Sequence, residues 1–387
     1  MARHDDLMQA ARDETGLDDF GEDSFREGLE RLCHSLDTEA HLGDIGGLVM
    51  PGLLTNLLSQ RLQIEDWYKR HPEIDDEEIV APLIGLGLPR TGSTALSFLL
   101  AEDPAARFLR QWEAAAPCPP PSTVEGIDPR LTAAEAQHAM RMEVAPRMAA
   151  LLPSIPTGPE ECQDLMALDF KAHYFQAFAK IPSYSSWLLD ADLDSTYAYE
   201  RRALKLLQWG EPTRPWRLKC PTHLLFLDHL DTSFPDARFV MTHRDPADVL
   251  LSVCDVYVEV GKMFGNEPDL PYIGKLNVEH WSTAMERVQA FRDAGHDDRF
   301  YDMDFRAVAA DPIGEVRGLY EWLGEPVSDE FAGGMQRWWH DNAESREQTT
   351  HPDPAEFGLD MGTLREVFSG YTARAERWVA DQHAGTA

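Results

Sequence analysis

The sequence predicts an α/β fold in which helices flank a parallel β-sheet, with further helical segments before the sheet and in the middle of the chain. Apolar runs of strand length recur along the chain, and segments of helical periodicity separate them, as expected for strands buried on both faces of a parallel sheet. Glycine and proline end the first of these runs, which is typical of a strand-to-helix turn. With 387 residues, 43% of them hydrophobic, the chain can build a sizeable core without disulfides or metals.

The chain divides into three parts in this interpretation. Residues 1–78 are a helical N-terminal segment, because Phe25, Leu29 and Leu32 have helical spacing and acidic residues fill the other faces. Residues 79–325 are the α/β core, and residues 326–387 are C-terminal helices and loops. We predict that the three parts form one structural domain.

The α/β core begins with an apolar run at 79–89, which we predict as a buried strand. A glycine-bearing loop at 90–94 and a helix at 95–100 follow it, and this order opens many nucleotide-binding α/β units. Three later short segments are predicted as strands, each followed by a helix: 216–219 with a helix at about 222–231, 238–242 with a helix from Pro246, and 299–304 with a helix at about 312–323.

The segment at 132–210 is predicted to be helical and is rich in methionine and aromatic residues, among them Met142, Met166 and Phe170. It follows a proline-rich loop at 117–131. One interpretation is that these side chains form the wall of an apolar pocket. The other is an ordinary helical core, because aromatic residues at helical spacing usually pack against one another.

Charge and cysteine content limit the possible functions. The chain has 35 Lys and Arg against 67 Asp and Glu, a net charge of −32, which argues against a general nucleic-acid or anionic-membrane binder. Its five cysteines form no CxxC pair, which fits reduced thiols. No signal-like N-terminus and no apolar run of membrane-spanning length occurs, so we expect a cytoplasmic protein without integral membrane segments.

The first chemistry-bearing motif is the loop at 87–94, Gly-Leu-Pro-Arg-Thr-Gly-Ser-Thr. It nearly fits the ATP-binding pattern GxxxxGK[ST], but Ser93 stands where that pattern has the lysine that holds the β- and γ-phosphates. The cation comes earlier here, at Arg90. Backbone N–H groups at the start of the following helix still favour an anion. The motif predicts a P-loop-like site for a phosphate or sulfonate rather than for Mg-ATP, although a plain strand-to-helix turn would also explain it.

The second motif is Thr-His-Arg-Asp-Pro at 242–246, with Ser252 on the same predicted helix. Asp245 is a good N-cap residue and Pro246 a good first helical residue. Arg244 therefore lies at the carboxyl end of a strand, where open α/β sheets bind ligands. Because helical side chains tilt towards the N-terminus, Ser252 can reach the same point. The pair indicates a second phosphate site; taken alone, it also fits a surface arginine and a buried serine.

Together the two motifs resemble those of the sulfotransferases that use 3′-phosphoadenosine 5′-phosphosulfate (PAPS). Residues 89–94 are similar to the 5′-phosphosulfate loop of that family, and Arg244 with Ser252 to its 3′-phosphate site. The segment at 216–221 resembles the short strand that carries a catalytic lysine in several branches, which would be Lys219.

The likeness covers about residues 80–325, since the late strand and helix at 300–324 also resemble the family. It is greatest to bacterial small-molecule sulfotransferases with a Pro-Arg loop.

This resemblance implies transfer of a sulfuryl group from PAPS to a hydroxyl of a small or lipid-like acceptor, leaving adenosine 3′,5′-bisphosphate. Arg90 and Lys219 would stabilise the departing phosphate, and no metal would be needed because the transferred group carries little charge. Segment 132–210 would be an insertion on the acceptor side. The residues implied in donor binding are Arg90, Thr91, Gly92, Ser93, Thr94, Arg244 and Ser252.

The general base is left open between two residues. Glu113 follows the loop helix, in the region where tyrosylprotein and carbohydrate-type relatives carry a catalytic glutamate. His223 lies four residues after Lys219, whereas phenol-type relatives have a histidine two residues after their lysine. We rank Glu113 first and His223 second; the remaining candidates include His173 and Glu161.

Two departures from the family pattern concern the donor. Ala95 stands where phenol and steroid-type relatives have the tryptophan that stacks on adenine. Their C-terminal Arg-Lys-Gly phosphate clamp is absent, and Arg346 or His351 would have to replace it.

Two other functions fit the same sheet architecture: a nucleotide kinase or NTPase, and a nucleotide-binding module without catalysis. Ser93 in place of the lysine argues against the first, and Arg90 with Lys219 against the second. The sequence specifies neither the acceptor nor the oligomeric state.

Overall fold

A parallel five-stranded sheet lies at the centre of the computed structural model, which describes residues 3–265, 267–343 and 352–385. The strands are β1 (Leu83–Gly87), β2 (Arg107–Phe108), β3 (Trp216–Lys219), β4 (Arg238–His243) and β5 (Phe300–Asp304). Their order across the sheet is β2-β3-β1-β4-β5. The predicted fold class is confirmed, and β2 is the one strand of these five that sequence patterning did not predict.

The central strand β1 is buried along its whole length. Gly85 pairs with Lys219 on one side and with Val240 on the other. The strand begins four residues later than predicted: Ala81 has φ 41°, outside the extended region, and Pro82 has no N–H to donate to a ladder. Since all five strands run in parallel, their carboxyl ends meet at one edge, and this edge carries the site.

Three helices precede the sheet: α1 (His4–Thr15), α2 (Phe25–Thr38) and α3 (Asp44–Arg70). Between β1 and β3 the helices are α4 (Ser93–Leu100), α5 (Gln111–Ala115), α6 (Pro129–Val144), α7 (Pro146–Leu151), α8 (Gln163–Met166), α9 (Phe175–Phe178), α10 (Pro182–Leu189) and α11 (Asp194–Gln208). The division of the chain at 78 and 325, and its folding as one domain, stay predictions.

Helices α12 (Leu227–Ser233), α13 (Pro246–Met263) and α14 (Leu270–Phe291) separate the later strands. After β5 come α15 (Phe305–Ala310), α16 (Pro312–Leu323), α17 (Asp329–Asp341), α18 (Met361–Val367) and α19 (Ser369–Gly385). The helix predicted at 222–231 is instead a 3₁₀ turn, Pro221–Leu225, followed by α12, since Phe226 between them leaves the helical region at ψ 32°.

In the methionine- and aromatic-rich segment at 132–210, some side chains form helical core and others form a pocket wall. Met166, Phe170 and Tyr184 are fully buried in the main hydrophobic core. Met142 instead lines a cavity of ≈ 1160 Å³.

All five cysteines are buried and unpaired. Among the described residues, no helix has both the length and the apolar composition that crossing a membrane requires.

Candidate active site

A cavity of ≈ 1160 Å³ opens at the carboxyl ends of β1 and β4. The loop after β1 and the first turn of α4 form one wall, and the first turns of α13 form another. Helices α6, α7 and α17 cover the remaining sides. The volume slightly exceeds the usual range for a single bound ligand, about 300–1,000 Å³, so the cavity has room for more than one small molecule.

Backbone geometry in the loop after β1 depends on glycine. Gly87 has φ 130°, and a Cβ there would meet the carbonyl oxygen of Thr242 at 2.6 Å. Gly92 has φ 90° and directly precedes α4, where its N–H and those of Ser93 and Thr94 are not used within the helix. Arg90, although not glycine, also has φ 69°. A left-handed arginine is a strained conformation of the kind that concentrates at ligand-binding loops.

Thr91 stabilises this loop through hydrogen bonds of its side chain. Its buried hydroxyl donates to the Leu88 carbonyl oxygen at 2.7 Å and lies 2.6 Å from the Thr242 hydroxyl. The side chain of Thr91 therefore connects the loop to β4, and the N–H groups and side chains of Ser93 and Thr94 remain for the cavity.

Arg90, Arg244 and Ser252 converge at the mouth of this loop. Arg90 Nε donates to Ser252 Oγ at 3.1 Å, and Arg244 Nη1 donates to the Arg90 carbonyl oxygen at 3.1 Å. The Arg244 guanidinium also lies over the Phe305 ring, 4.6 Å from its centroid. Burial and the neighbouring charge of Arg244 both lower the pKa of Arg90. Two guanidinium groups that repel each other beside a helix N-terminus form a site for an anion.

A second polar centre is the ion pair of Lys219 and Glu161, whose Nζ and Oε1 lie 2.5 Å apart. Gln163 donates to the other Glu161 oxygen at 2.9 Å. Burial by itself would lower the pKa of Lys219, but the neighbouring Glu161 and Glu160 carboxylates raise it above its ordinary value. The ammonium group is therefore charged at neutral pH.

Neither Lys219 nor Glu161 is among the residues that line the cavity, and charge interactions connect the pair to its wall. Arg141 lines the cavity, and its charge and that of Lys219 both act on the Glu160 carboxyl. Burial, the largest effect, still raises the pKa of Glu160. Sequence reasoning mentioned Glu161 only among the remaining base candidates, because three acids in five residues gave no sign of which one would contact the lysine.

Glu113 lies away from the cavity lining and is fully buried. Its Oε1 accepts from Arg107 at 3.2 Å and from the Arg110 side chain at 3.3 Å, and its Oε2 accepts from the Arg110 N–H at 3.2 Å. Burial raises the pKa of Glu113. This arrangement caps α5 and neutralises two arginines.

His223 is also fully buried and absent from the cavity lining. Its Nδ1 lies 2.9 Å from the Tyr197 hydroxyl, and burial lowers its pKa to about 3. His173 is buried against His280 and Gln176, likewise outside the lining. Arg346 and His351 lie outside the described residues.

Aromatic residues of α17 are the part of the cavity that sequence reasoning missed. Trp338 and Trp339 line it, and the Trp338 ring stacks on Phe98 of α4 with centroids 5.2 Å apart. The adjacent tryptophans were a visible signal, but no motif connected α17 with the loop at 87–94.

A glycine-bearing loop between a buried strand and a helix, with two arginines at its mouth, is the arrangement of a P-loop-like group transferase. The chain belongs to the sulfotransferase family, whose model matches residues 82–329. The resemblance stated from the motifs is thereby confirmed.

Two solved structures are similar over nearly the whole chain. Sulfotransferase STF1 from Mycobacterium tuberculosis H37Rv shares 32% identity and a TM-score of 0.85, covering 95% of this chain and 99% of that one. Sulfotransferase STF9 from Mycobacterium avium shares 32% identity and a TM-score of 0.89, covering 97% of each.

A curated relative is the omega-hydroxy-beta-dihydromenaquinone-9 sulfotransferase Stf3 of Mycobacterium bovis and Mycobacterium tuberculosis. It is 25% identical over 128 residues, which is 33% of this chain. The match spans a third of the length of that relative as well.

Proposed function

We propose that the protein transfers a sulfuryl group from PAPS to a hydroxyl of a small, apolar acceptor. The convergence of Arg90, Arg244 and Ser252 at the loop after β1 carries the proposal. PAPS has two anionic groups, the 5′-phosphosulfate and the 3′-phosphate. The cavity contains two elements suited to anions, the N-terminus of α4 and the pair of Arg244 and Ser252. A simple phosphate site would need only one of them.

The residues of the cavity fit the donor in three places. The N–H groups of Gly92, Ser93 and Thr94 would hold the 5′-phosphosulfate at the N-terminus of α4. Arg244 and Ser252 would hold the 3′-phosphate. The ring pair of Phe98 and Trp338 offers the adenine an apolar, aromatic surface, the contact that Ala95 cannot supply.

Replacing Arg244 should distinguish the 3′-phosphate from the rest of the nucleotide. Arg244→Ala is expected to weaken binding of adenosine 3′,5′-bisphosphate by about 1.5–3 kcal/mol, the range for a charged hydrogen bond. Binding of adenosine 5′-monophosphate should change far less. Titration calorimetry measures both, with Arg31→Ala on the exposed face of α2 as the control. Equal losses for both nucleotides would contradict the assignment of Arg244.

Sulfuryl transfer should not need magnesium. Ser93 replaces the lysine of the ATP-binding pattern, and a sulfuryl group carries less charge than a phosphoryl group. Activity with a chelator added to the assay should therefore be largely retained. A loss above about a hundredfold that magnesium restores would contradict metal-independent transfer.

The acceptor side of the cavity is mainly apolar. Met142, Pro146, Ala150 and Ile155 from α6, α7 and the following loop line it, and Met361 closes it from α18. Such walls suit a hydrophobic molecule with one hydroxyl at the donor. The relative Stf3 is named for a menaquinone-type acceptor, and we extend only its class, a lipid-like hydroxyl compound, to this chain.

Lys219 and Arg90 are proposed to stabilise the charge that develops on the departing phosphate. For the base, the geometry supports Glu161 better than the two residues ranked first from the sequence. Its side chain is 28% exposed and contacts Lys219, whereas Glu113 and His223 are fully buried. None of the three lines the cavity. Glu113 and His223 stay predictions that the experiments below test.

We also propose that the protein works in the cytoplasm, because all five cysteines are reduced and buried. Its strong negative charge argues against a nucleic-acid partner.

A further inference from the structure

Three metal-ligating side chains meet outside the donor cavity. Cys162, Glu200 and His223 are each fully buried, and their ligand atoms lie within 4.8 Å of one another. Cys162 precedes α8, Glu200 lies on α11, and His223 lies in the 3₁₀ turn after β3. Because the residues are far apart in the sequence, spacing gave no metal signature, and only the fold brings them together.

The cluster contains a buried polar atom without a partner. Among the described residues, Nε2 of His223 has no hydrogen-bond partner, and the Glu200 carboxylate interacts with the Cys162 thiol within the cluster itself. Such atoms are rare in folded proteins, because each costs free energy when it is removed from water unpaired. A cation bound between the three side chains would give Nε2 of His223 a partner and would bind an oxygen of Glu200 and the sulfur of Cys162 at the same time.

The chemistry of the three side chains favours one particular metal ion. A thiolate, a carboxylate and an imidazole are the set that Zn²⁺ prefers. Tetrahedral Zn²⁺ places neighbouring ligand atoms about 3.3–3.8 Å apart, so the three side chains need only a small inward shift. The charges also balance, since two positive charges meet one thiolate and one carboxylate, and a neutral buried site avoids a large desolvation cost.

Tyr197 orients the histidine of this cluster. Its hydroxyl lies 2.9 Å from Nδ1 of His223, which leaves Nε2 as the ligand atom. Metal-bound histidines are usually held in this way through their other ring nitrogen.

We propose that Cys162, Glu200 and His223 bind one Zn²⁺ ion, with a water molecule as the fourth ligand of the tetrahedron. The metal site would hold both residues of the Lys219–Glu161 ion pair in place. Cys162 directly follows Glu161 and donates its N–H to the Lys219 carbonyl oxygen at 3.3 Å. The ion is separate from the donor cavity, so this inference does not depend on the proposed function. A chelator present only during an assay would not reach a closed site, and the expectation of magnesium independence is unaffected.

The test uses the full chain without a histidine tag, measuring bound metal by mass spectrometry and titrating the metal-depleted protein with Co²⁺. We expect one zinc per chain and a thiolate-to-Co²⁺ charge-transfer band. Zinc binding should also release protons, because the thiol must ionise to bind. Cys162→Ser should abolish the band, and Tyr197→Phe should weaken binding by about 10–100-fold while keeping every ligand.

The exposed group of Asp192, Asp194 and His229 supplies the control, because its ligand atoms also lie within 4.8 Å of one another. His229→Asn should leave zinc content and the Co²⁺ band unchanged. The proposal is overturned if folded wild-type protein takes up no stoichiometric metal, if the band survives Cys162→Ser, or if His229→Asn removes the ion. Calorimetry with adenosine 3′,5′-bisphosphate on the same samples reports the donor site separately.

Discussion

Glu161→Gln is expected to lower turnover with a long-chain primary alcohol by about 10²–10⁴-fold, the usual contribution of a general base. The glutamine keeps the shape of the side chain and its contact with Lys219 but removes the basicity. With 4-nitrophenol, which ionises easily by itself, the loss should be small. Initial rates with both acceptors at saturating PAPS measure the difference.

Glu160→Gln is the matched control for this experiment. The Glu160 carboxylate accepts the Glu161 N–H at 2.9 Å, so its substitution perturbs the same turn. It should retain most of the activity with alcohols. Glu113→Gln and His223→Asn complete the comparison: if either loses the alcohol reaction selectively while Glu161→Gln keeps it, that residue is the base and our proposal for Glu161 is wrong.

Lys219→Ala should lower turnover by about 10²–10³-fold with both acceptors, the size of effect seen when one group that stabilises developing charge is removed. The departing phosphate is the same in both reactions, so the acidity of the acceptor should not matter. Binding of adenosine 3′,5′-bisphosphate should change much less than turnover. Lys180→Ala, which removes an exposed ammonium paired with Asp269, is the control and should leave turnover unchanged.

The pattern across acceptors separates two roles for this lysine. A loss confined to the alcohol would mean that Lys219 acts through Glu161, by holding the carboxylate in place. An equal loss with both acceptors would support direct action on the phosphate.

Local rules predicted the core strands well. Strand β3 and helix α16 match the predicted residues. The ends of α16 are marked by Asp311-Pro312 and by Gly324. Strand β2 has only two residues, too few for any periodicity. The caps of α13 likewise follow from Asp245 and Pro246, as the sequence indicated.

The proposed donor site was largely predictable, whereas the ion pair of Lys219 and Glu161 was not. Arg90, Arg244 and Ser252 belong to motifs whose position is set by strand ends, so their convergence follows from the fold class. The contact between Glu161 and Lys219 instead joins a loop before α8 to β3. Long-range side-chain contacts of this kind leave no periodic pattern in a sequence. For the same reason, the sequence did not indicate that Trp338 lines the cavity or that Cys162, Glu200 and His223 form a cluster.

A crystal structure with bound adenosine 3′,5′-bisphosphate would test the proposed donor site. We expect the nucleotide in the cavity at the carboxyl ends of β1 and β4, with its 5′-phosphate on the N–H groups of Ser93 and Thr94. Its 3′-phosphate should contact Arg244 and Ser252. A nucleotide bound in the opposite direction, or outside this cavity at saturating concentration, would contradict the donor site proposed here.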